Sequence, residues 1–258
     1  MKREEALLRE LNLYPLWKLR GGIAAPVASP PPPQEPGAAA FPANAAEAVA
    51  AGRPVEIAAA APQTDAAAER GPLISGLAWP ELKVMVRDCT ACRLRAGCTQ
   101  TVFGVGGEKA NWLFVGEGPG ADEDAQGEPF VGQAGKLLDN MLLAIGLKRG
   151  DDVYIANIVK CRPPSNRTPE ADEIATCIPY LHRQIALIKP KIIVALGKTA
   201  ATSLLERDAT LGSLRGTVHD FHGIPLIVTY HPAYLLRTPA DKARAWEDLC
   251  LAVKTASN

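Results

Sequence analysis

The stretch Asn111-Trp-Leu-Phe-Val-Gly-Glu-Gly-Pro-Gly120 decides the fold of this chain. Its apolar run is typical of a buried strand, and its glycines indicate a turn where that strand ends. Three further apolar runs follow, with helical patterns between them. Strands that alternate with helices predict an α/β domain with three layers (α/β/α) and a central, mainly parallel four-stranded sheet.

The boundaries of these elements follow from apolar periodicity and from turn residues. The predicted strands span residues 111–115, 153–159, 191–196 and 224–229. The predicted helices span residues 79–86, 132–145, 169–188, 198–205 and 240–253. Thr168 is a suitable N-cap for the third helix, since Pro169 would then take its first position. Ligands bind at the carboxyl ends of strands in such sheets, so the loops there are the candidate site.

The first 78 residues differ in composition from the rest of the chain. Residues 1–20 predict a short amphipathic helix that is either solvated or a docking peptide for a replication or repair protein. Residues 21–78 contain proline and alanine runs, with Phe41 as the one aromatic residue between Gly21 and Gly71. Such a segment buries too little apolar area to offset its ordering entropy, which predicts a disordered linker. The globular domain is therefore predicted to span residues 79–258.

The composition narrows the function classes. The chain has 258 residues, and its 28 Lys and Arg balance its 28 Asp and Glu, which argues against a non-specific polycation. It has no apolar run of eighteen residues, so we expect no membrane span. The N-terminus, Met1-Lys-Arg-Glu-Glu5, lacks the apolar region of a signal peptide and predicts a cytoplasmic protein with reduced thiols.

Two cysteine pairs indicate a metal centre. Cys89 and Cys92 are two residues apart, and Cys161 and Cys177 follow after a long gap. Four thiolates suit zinc and iron–sulfur clusters equally, so the spacing alone leaves both metals open. The other two cysteines, Cys98 and Cys250, are interpreted as buried or incidental thiols.

Polar residues at the predicted strand ends are the candidates for chemistry. Glu117 follows the first strand, Asn157 lies near the end of the second, and His231 follows the fourth. An amide both donates and accepts hydrogen bonds toward a base edge, and an imidazole donates well near neutral pH. The glycines after the first strand match a nucleotide-binding fingerprint only weakly, because the carboxylates at residues 122–124 would repel a pyrophosphate.

Taken together, the motifs resemble one known family. They are Cys-x2-Cys, Gly-Glu-Gly-Pro-Gly, Pro-Phe-Val-Gly, Asn-x3-Cys-Arg-Pro-Pro, Cys-x15-Cys and His-Pro-Ala, in that order from residue 79 to residue 253. This ordered set is similar to the iron–sulfur uracil-DNA glycosylases, family 4 of the uracil-DNA glycosylase superfamily. The resemblance implies a monomeric DNA-repair hydrolase that acts on uracil in single- or double-stranded DNA. It also implies a 4Fe–4S cluster on the four paired cysteines, with zinc as the alternative.

The resemblance implies a role for each strand-end residue. Phe130 would stack on a flipped uracil, and Asn157 would read its edge. Glu117 would stabilise the cationic sugar and position water, while His231 would donate to uracil O2. Further expected contacts are the backbone N–H groups of Gly118 and Gly120. Glu123 would exclude thymine near C5 or assist the water, unless it is a plain solvated acid.

The resemblance also implies the residues that contact DNA. Leu235, Leu236 and Arg237 would form a wedge that fills the vacated stack and contacts phosphate. Arg162 would contact phosphate as well, and the further candidates for such contacts are Lys160, Arg167, Lys198 and Arg215, each of which is as readily a plain surface charge. The alternative hypothesis is a non-catalytic, metal-containing DNA-replication accessory protein that docks through residues 1–20.

Overall fold

The structure is a computed structural model that describes residues 64–257. The predicted N-terminal helix and most of the predicted linker lie outside these residues. Within residues 64–257, no helix combines the length and the apolar character that crossing a membrane requires.

A six-stranded sheet forms the centre of the domain. Its strands are β1 Val105–Gly106, β2 Trp112–Gly116, β3 Val153–Asn157, β4 Ile192–Leu196, β5 Val218–Phe221 and β6 Ile224–Thr229. They are arranged in the order β1-β3-β2-β4-β6-β5. The four central strands are parallel and are the four that the sequence predicts. Strands β1 and β5 add antiparallel edges, which the predicted four-stranded sheet lacked.

Helices cover both faces of the sheet. They are α1 Thr64–Ser75, α2 Trp79–Arg87, α3 Leu94–Gly97, α4 Ala121–Gln126, α5 Gln133–Ala144, α6 Ala171–Ile188, α7 Lys198–Leu205, α8 Leu211–Leu214, α9 Pro232–Arg237 and α10 Lys242–Ala256. One core joins the sheet to α1, α2, α6 and α7, and a second core joins its other face to α5, α9 and α10. Strand residues alternate between the two cores, which confirms the three-layer α/β/α arrangement.

Three local predictions were wrong. Helix α1 lies inside the predicted linker, and its Ile74 is fully buried, so the folded domain begins before residue 79. Helix α4 lies inside a segment that the sequence analysis assigned to a loop. Helix α6 has Glu170 rather than Thr168 as its N-cap. Its first turn is closed by the Glu173 carboxylate, which accepts the Glu170 backbone N–H at 2.8 Å.

The strand register brings the carboxyl ends of the central strands to one edge. Gly116 on β2 pairs with Asn157 on β3, and Leu196 on β4 pairs with Thr229 on β6. The loops that follow these strands therefore meet above the same edge, where open α/β sheets bind their ligands.

Candidate active site

The loops after the four central strands enclose a cavity of about 680 Å³. Six residues that the sequence analysis assigned to catalysis or to base binding line this cavity: Glu117, Gly118, Gly120, Phe130, Asn157 and His231. Glu123 lines it as well. A cavity of this size holds a nucleobase and its sugar.

Asn157 lies at the floor of the cavity and is almost fully buried. Its side-chain oxygen has no hydrogen-bond partner within residues 64–257. A buried polar atom without a partner is costly, and such atoms are typical of ligand sites. The neighbouring Gly116 is required here, since a Cβ at that position would lie 2.5 Å from the Asn157 oxygen and 2.5 Å from Phe130 Cζ.

Phe130 has a left-handed backbone conformation, with φ of 56°. An aromatic residue adopts this conformation only where its surroundings impose it. The Arg149 guanidinium does so by donating to the carbonyls of Pro129 at 2.8 Å and Phe130 at 2.7 Å. The ring is thereby fixed beside the His231 imidazole, with 5.4 Å between the ring centroids.

Glu123 is not the plain solvated acid that the sequence analysis considered, and its roles near uracil C5 or at the water stay predictions. Its carboxylate accepts three backbone N–H groups: Gly120 at 3.0 Å, Val131 at 2.9 Å and Gly132 at 3.1 Å. Most of its acceptor directions therefore serve the protein. Glu123 braces the glycine turn against the segment that carries Phe130, and its position three residues after the N-cap Gly120 is the sequence signal for this role.

Glu117 has a partner that the sequence analysis missed. Thr199, in the first turn of α7, donates its hydroxyl to the Glu117 carboxylate. The Glu117 backbone carbonyl also accepts the Val159 N–H at 3.2 Å. The carboxylate is thus oriented from two neighbouring strand ends. Nothing local in the sequence marks Thr199, because the contact joins residues that are 82 positions apart.

His231 is held as a neutral hydrogen-bond donor. It is the N-cap of α9, and its Nδ1 accepts the Ala233 backbone N–H at 3.1 Å. The proton of the neutral ring must therefore lie on Nε2. Burial, with a smaller effect of the Arg237 cation, lowers the pKa of His231 to about 4, although the Glu123 carboxylate acts in the opposite direction. The imidazole is consequently uncharged at neutral pH.

The predicted DNA wedge is corrected at one position. Leu235 is 1% exposed and packs in the core against the helices on that face, so it is not available to enter DNA. Leu236 is 44% exposed on the same helix. Arg237 lines the cavity, and Arg162 lies on the loop after β3, where it donates to Asn166 Oδ1 at 2.7 Å.

All four further phosphate candidates have partners within the protein. Arg167 donates to the Glu173 carboxylate through both terminal nitrogens, at 2.8 and 2.7 Å. Arg215 donates to the buried Asp248 at 2.7 Å. Lys160 is 1% exposed, so a phosphate contact through it is wrong. Lys198 is exposed at the cavity, 3.3 Å from Asp208, and stays a candidate.

The paired cysteines line a second, enclosed cavity behind the first. Cys89, Cys92, Cys161 and Cys177 all contribute to its wall. Burial raises the pKa of Cys177 to about 11. Burial also raises the pKa of Cys161, and the neighbouring thiols raise it further. No three His, Cys, Asp or Glu residues in the described part of the chain are placed to hold a metal ion. The donor chemistry of four converging thiols nevertheless fits an iron–sulfur cluster.

The remaining two cysteines have different surroundings. Cys98 interacts with Cys161, and this neighbour raises the pKa of the Cys161 thiol. Cys98 therefore lies beside the four thiols and is not simply incidental. Cys250 is exposed on α10.

Comparisons with known proteins agree with this geometry. The family model described as the uracil DNA glycosylase superfamily matches residues 103–250. The type-4 uracil-DNA glycosylase of Pyrobaculum aerophilum is 42% identical over 179 residues, which are 66% of this chain and 91% of the relative. The type-4 uracil-DNA glycosylases of Thermotoga maritima and Archaeoglobus fulgidus are each 46% identical, over 62% and 60% of this chain and 83% and 81% of the relatives.

Proposed function

Because the chain belongs to the type-4 branch of the uracil-DNA glycosylase superfamily, we propose that it excises uracil from DNA. The reaction is hydrolysis of the N-glycosidic bond and leaves an abasic site for repair. The observation that carries the proposal is the cavity in which the unpaired side-chain oxygen of Asn157 lies among Phe130, Glu117 and His231.

Recognition begins with a nucleotide that leaves the duplex or is already single-stranded, since a stacked base is out of reach. The Phe130 ring provides a fixed face for stacking, because the Arg149 guanidinium donates to the Phe130 carbonyl and holds its backbone in place. The Asn157 oxygen accepts from uracil N3–H, and its NH2 group donates to O4. Cytosine presents the opposite pattern and would leave buried groups unpaired, at a cost of about 1–3 kcal/mol for each.

Bond cleavage leaves positive charge on the sugar and negative charge on the base, and the cavity has one side chain to stabilise each. The C1′–N1 bond breaks with its electron pair on uracil, and water adds to C1′. The Glu117 carboxylate, oriented by Thr199, stabilises the cationic sugar and positions that water. The neutral His231 donates from Nε2 to the anionic O2 of the leaving base. Gly118 and Gly120 line the same cavity, and the Gly118 backbone N–H is the candidate for binding the base, since Glu123 accepts the Gly120 N–H.

DNA contacts fall on the rim of the cavity. Leu236 is the exposed apolar side chain that fills the space left by the flipped base, and Arg237 contacts the flanking phosphate. Arg162 and Lys198 extend the basic rim. Phosphate contacts of this kind position the strand without reading its sequence.

The 4Fe–4S cluster would be held by Cys89, Cys92, Cys161 and Cys177. When bound it supplies a structural cross-link between the segment after α2 and the strand that carries Asn157. Zinc is the alternative for four thiolates, and iron and zinc analysis of protein purified without air separates the two.

Three finer expectations stay predictions. They are the cytoplasmic location, the monomeric state, and the docking of residues 1–20, which lie outside the described residues, to a replication or repair protein. A non-catalytic accessory role would require a purified holoprotein that docks but does not cleave.

The decisive experiment is uracil release from a fluorescent oligonucleotide that contains one uracil, both single-stranded and paired with guanine or adenine. We expect abasic product from the wild-type protein. Glu117→Gln should reduce kcat by about 10²–10³-fold, because the carboxylate charge is lost at the reacting centre. Glu108→Gln, the same change on the surface, should leave kcat unchanged. No abasic product from iron-loaded wild-type protein would refute the proposal.

A further inference from the structure

Lys160 is a buried cation between the two cavities. Its side chain is almost fully enclosed, and its Nζ donates to the backbone carbonyl of Asn157 at 2.9 Å and to Gln184 Oε1 at 2.7 Å. Both acceptors are uncharged. A buried ammonium with only neutral partners is costly, so an anion nearby is needed to stabilise it.

The groups beside Lys160 that become anionic when they ligate a metal are the cysteine thiols. Its backbone N–H donates to Cys177 Sγ at 3.2 Å, and Cys161 is the next residue in the chain. Lys160 also contributes to the wall of the cysteine cavity. Within residues 64–257, no carboxylate hydrogen-bonds to its ammonium. Thiolates that ligate an iron–sulfur cluster give the whole centre a net negative charge, which attracts a cation at this range.

We propose that Lys160 is a positioning residue that couples the metal centre to base recognition. Its buried charge stabilises the anionic four-cysteine cluster, and its hydrogen bond fixes the Asn157 backbone. This inference rests on the cluster proposed above. It goes beyond that proposal because it assigns a role to a residue that neither ligates the metal nor touches uracil.

Two measurable properties follow from this role. A cation beside a cluster favours the reduced, more negative state, so removing the cation lowers the reduction potential and makes oxidation in air easier. Loosening the Asn157 backbone weakens uracil binding and leaves Glu117 and His231 in place. The KM for uracil-containing DNA should therefore rise more than kcat falls.

Lys160→Met tests both properties, with Lys83→Met as the matched control. Lys83 is a half-exposed lysine that pairs with Glu108 on the surface. In Lys160→Met we expect a lower cluster potential by protein-film voltammetry, and loss of the visible absorbance in air about tenfold faster than in wild type. We expect KM to rise at least about fivefold with kcat changed less. The Lys83→Met protein should match wild type in all three.

Gln184→Glu is a second variant that keeps the lysine. The new carboxylate on α6 would lie against the Lys160 ammonium and neutralise its positive charge. The reduction potential of the cluster should therefore fall, as in Lys160→Met. An unchanged potential in whichever variant folds with a full iron content would overturn the role of Lys160. Wild-type protein that binds no iron when purified without air would overturn the cluster itself and this role with it, whether or not uracil release persists.

Discussion

The two cavities of the domain share one short segment but differ in how exposed they are and in which elements line them. The active-site cavity is the more open and the more polar of the two, and its reacting groups come from loops at the carboxyl ends of the central strands. The cysteine cavity is enclosed, and its wall comes mainly from the segment after α2, from α3 and α6, and from the segment after β3. Residues 157–161 reach both, since Asn157 faces one cavity and Cys161 the other.

This difference separates chemistry from support. Strand ends in a parallel sheet have fixed relative positions, so they suit groups that must meet a transition state. The cysteines join segments that are distant in sequence, which suits a cross-link. A change in the first cavity should therefore alter kcat, and a change in the second should alter stability and binding.

The largest expected effect comes from a reciprocal pair of variants. His231→Ala removes the donor to the leaving uracil and should reduce kcat by about 10²–10³-fold, with iron content unchanged and the thermal midpoint lowered only by the loss of the α9 N-cap. Cys177→Ala removes a thiolate and should lose iron and lower the thermal midpoint, because a structural metal centre contributes directly to folding free energy. In the folded fraction of the Cys177→Ala protein, KM should rise while kcat changes less than about tenfold.

Steady-state kinetics, iron analysis and calorimetry on the same preparations check this pair. A Cys177→Ala protein that loses kcat as completely as His231→Ala, at unchanged KM, would remove the distinction between the two cavities. So would a His231→Ala protein that loses iron.

Much of the fold followed from the sequence because the relevant signals are local. The four parallel strands are apolar on both faces and appear as continuous runs. The edge strands gave no such signal: β1 has two residues, and β5 is partly exposed with His219 and Asp220 at its centre. Likewise, α4 consists largely of acidic residues and has no apolar stripe.

The site was predictable in its members but not in their roles. Glu117, Phe130, Asn157 and His231 follow predicted strands, and the parallel sheet brings them together. What Glu123 does depends on backbone N–H groups that come from eight and nine residues away. The Thr199 contact with Glu117 and the Lys160 contact with Gln184 likewise join residues that are distant in sequence, so tertiary packing decides them.

An effect of intermediate size is expected at two adjacent leucines on α9, where one substitution should lower stability and the other should impair excision from duplex DNA. Leu235→Ala empties a packed core position and should lower the free energy of unfolding by about 2–5 kcal/mol. Leu236→Ala changes an exposed side chain and should stay within about 0.5 kcal/mol of wild type. Its effect should appear instead in excision from duplex DNA, with single-stranded DNA cleaved as before.

Urea denaturation and kcat/KM on the two substrates check this comparison. If Leu236→Ala lost as much stability as Leu235→Ala, or cleaved duplex DNA at the wild-type rate, Leu236 would not be the wedge. The result would show whether one helix can belong to the core on one side and to the DNA-binding surface on the other.

The smallest expected effect concerns charge in the two cavities. Burial lowers the pKa of both Lys160, to about 8, and His231, to about 4. Lys160 still stays mainly protonated at neutral pH, because a pKa of about 8 lies above it. His231 stays neutral, because a backbone N–H occupies its Nδ1. The two cavities therefore use the same burial to keep one group charged and the other uncharged.

The pH dependence of His231 tests this argument. The unfolded ring titrates near 6.5, so between about pH 6.5 and pH 4 the unfolded chain binds a proton that the folded chain does not. The contribution of His231 to the free energy of unfolding should therefore fall as the pH falls through this window. Arg237→Gln should raise the pKa of His231 by less than about one unit, since burial is the larger cause. NMR titration of the imidazole measures both values, and a folded-state pKa near 6.5 would show that the ring is charged in part at the pH of the reaction and is not the neutral donor.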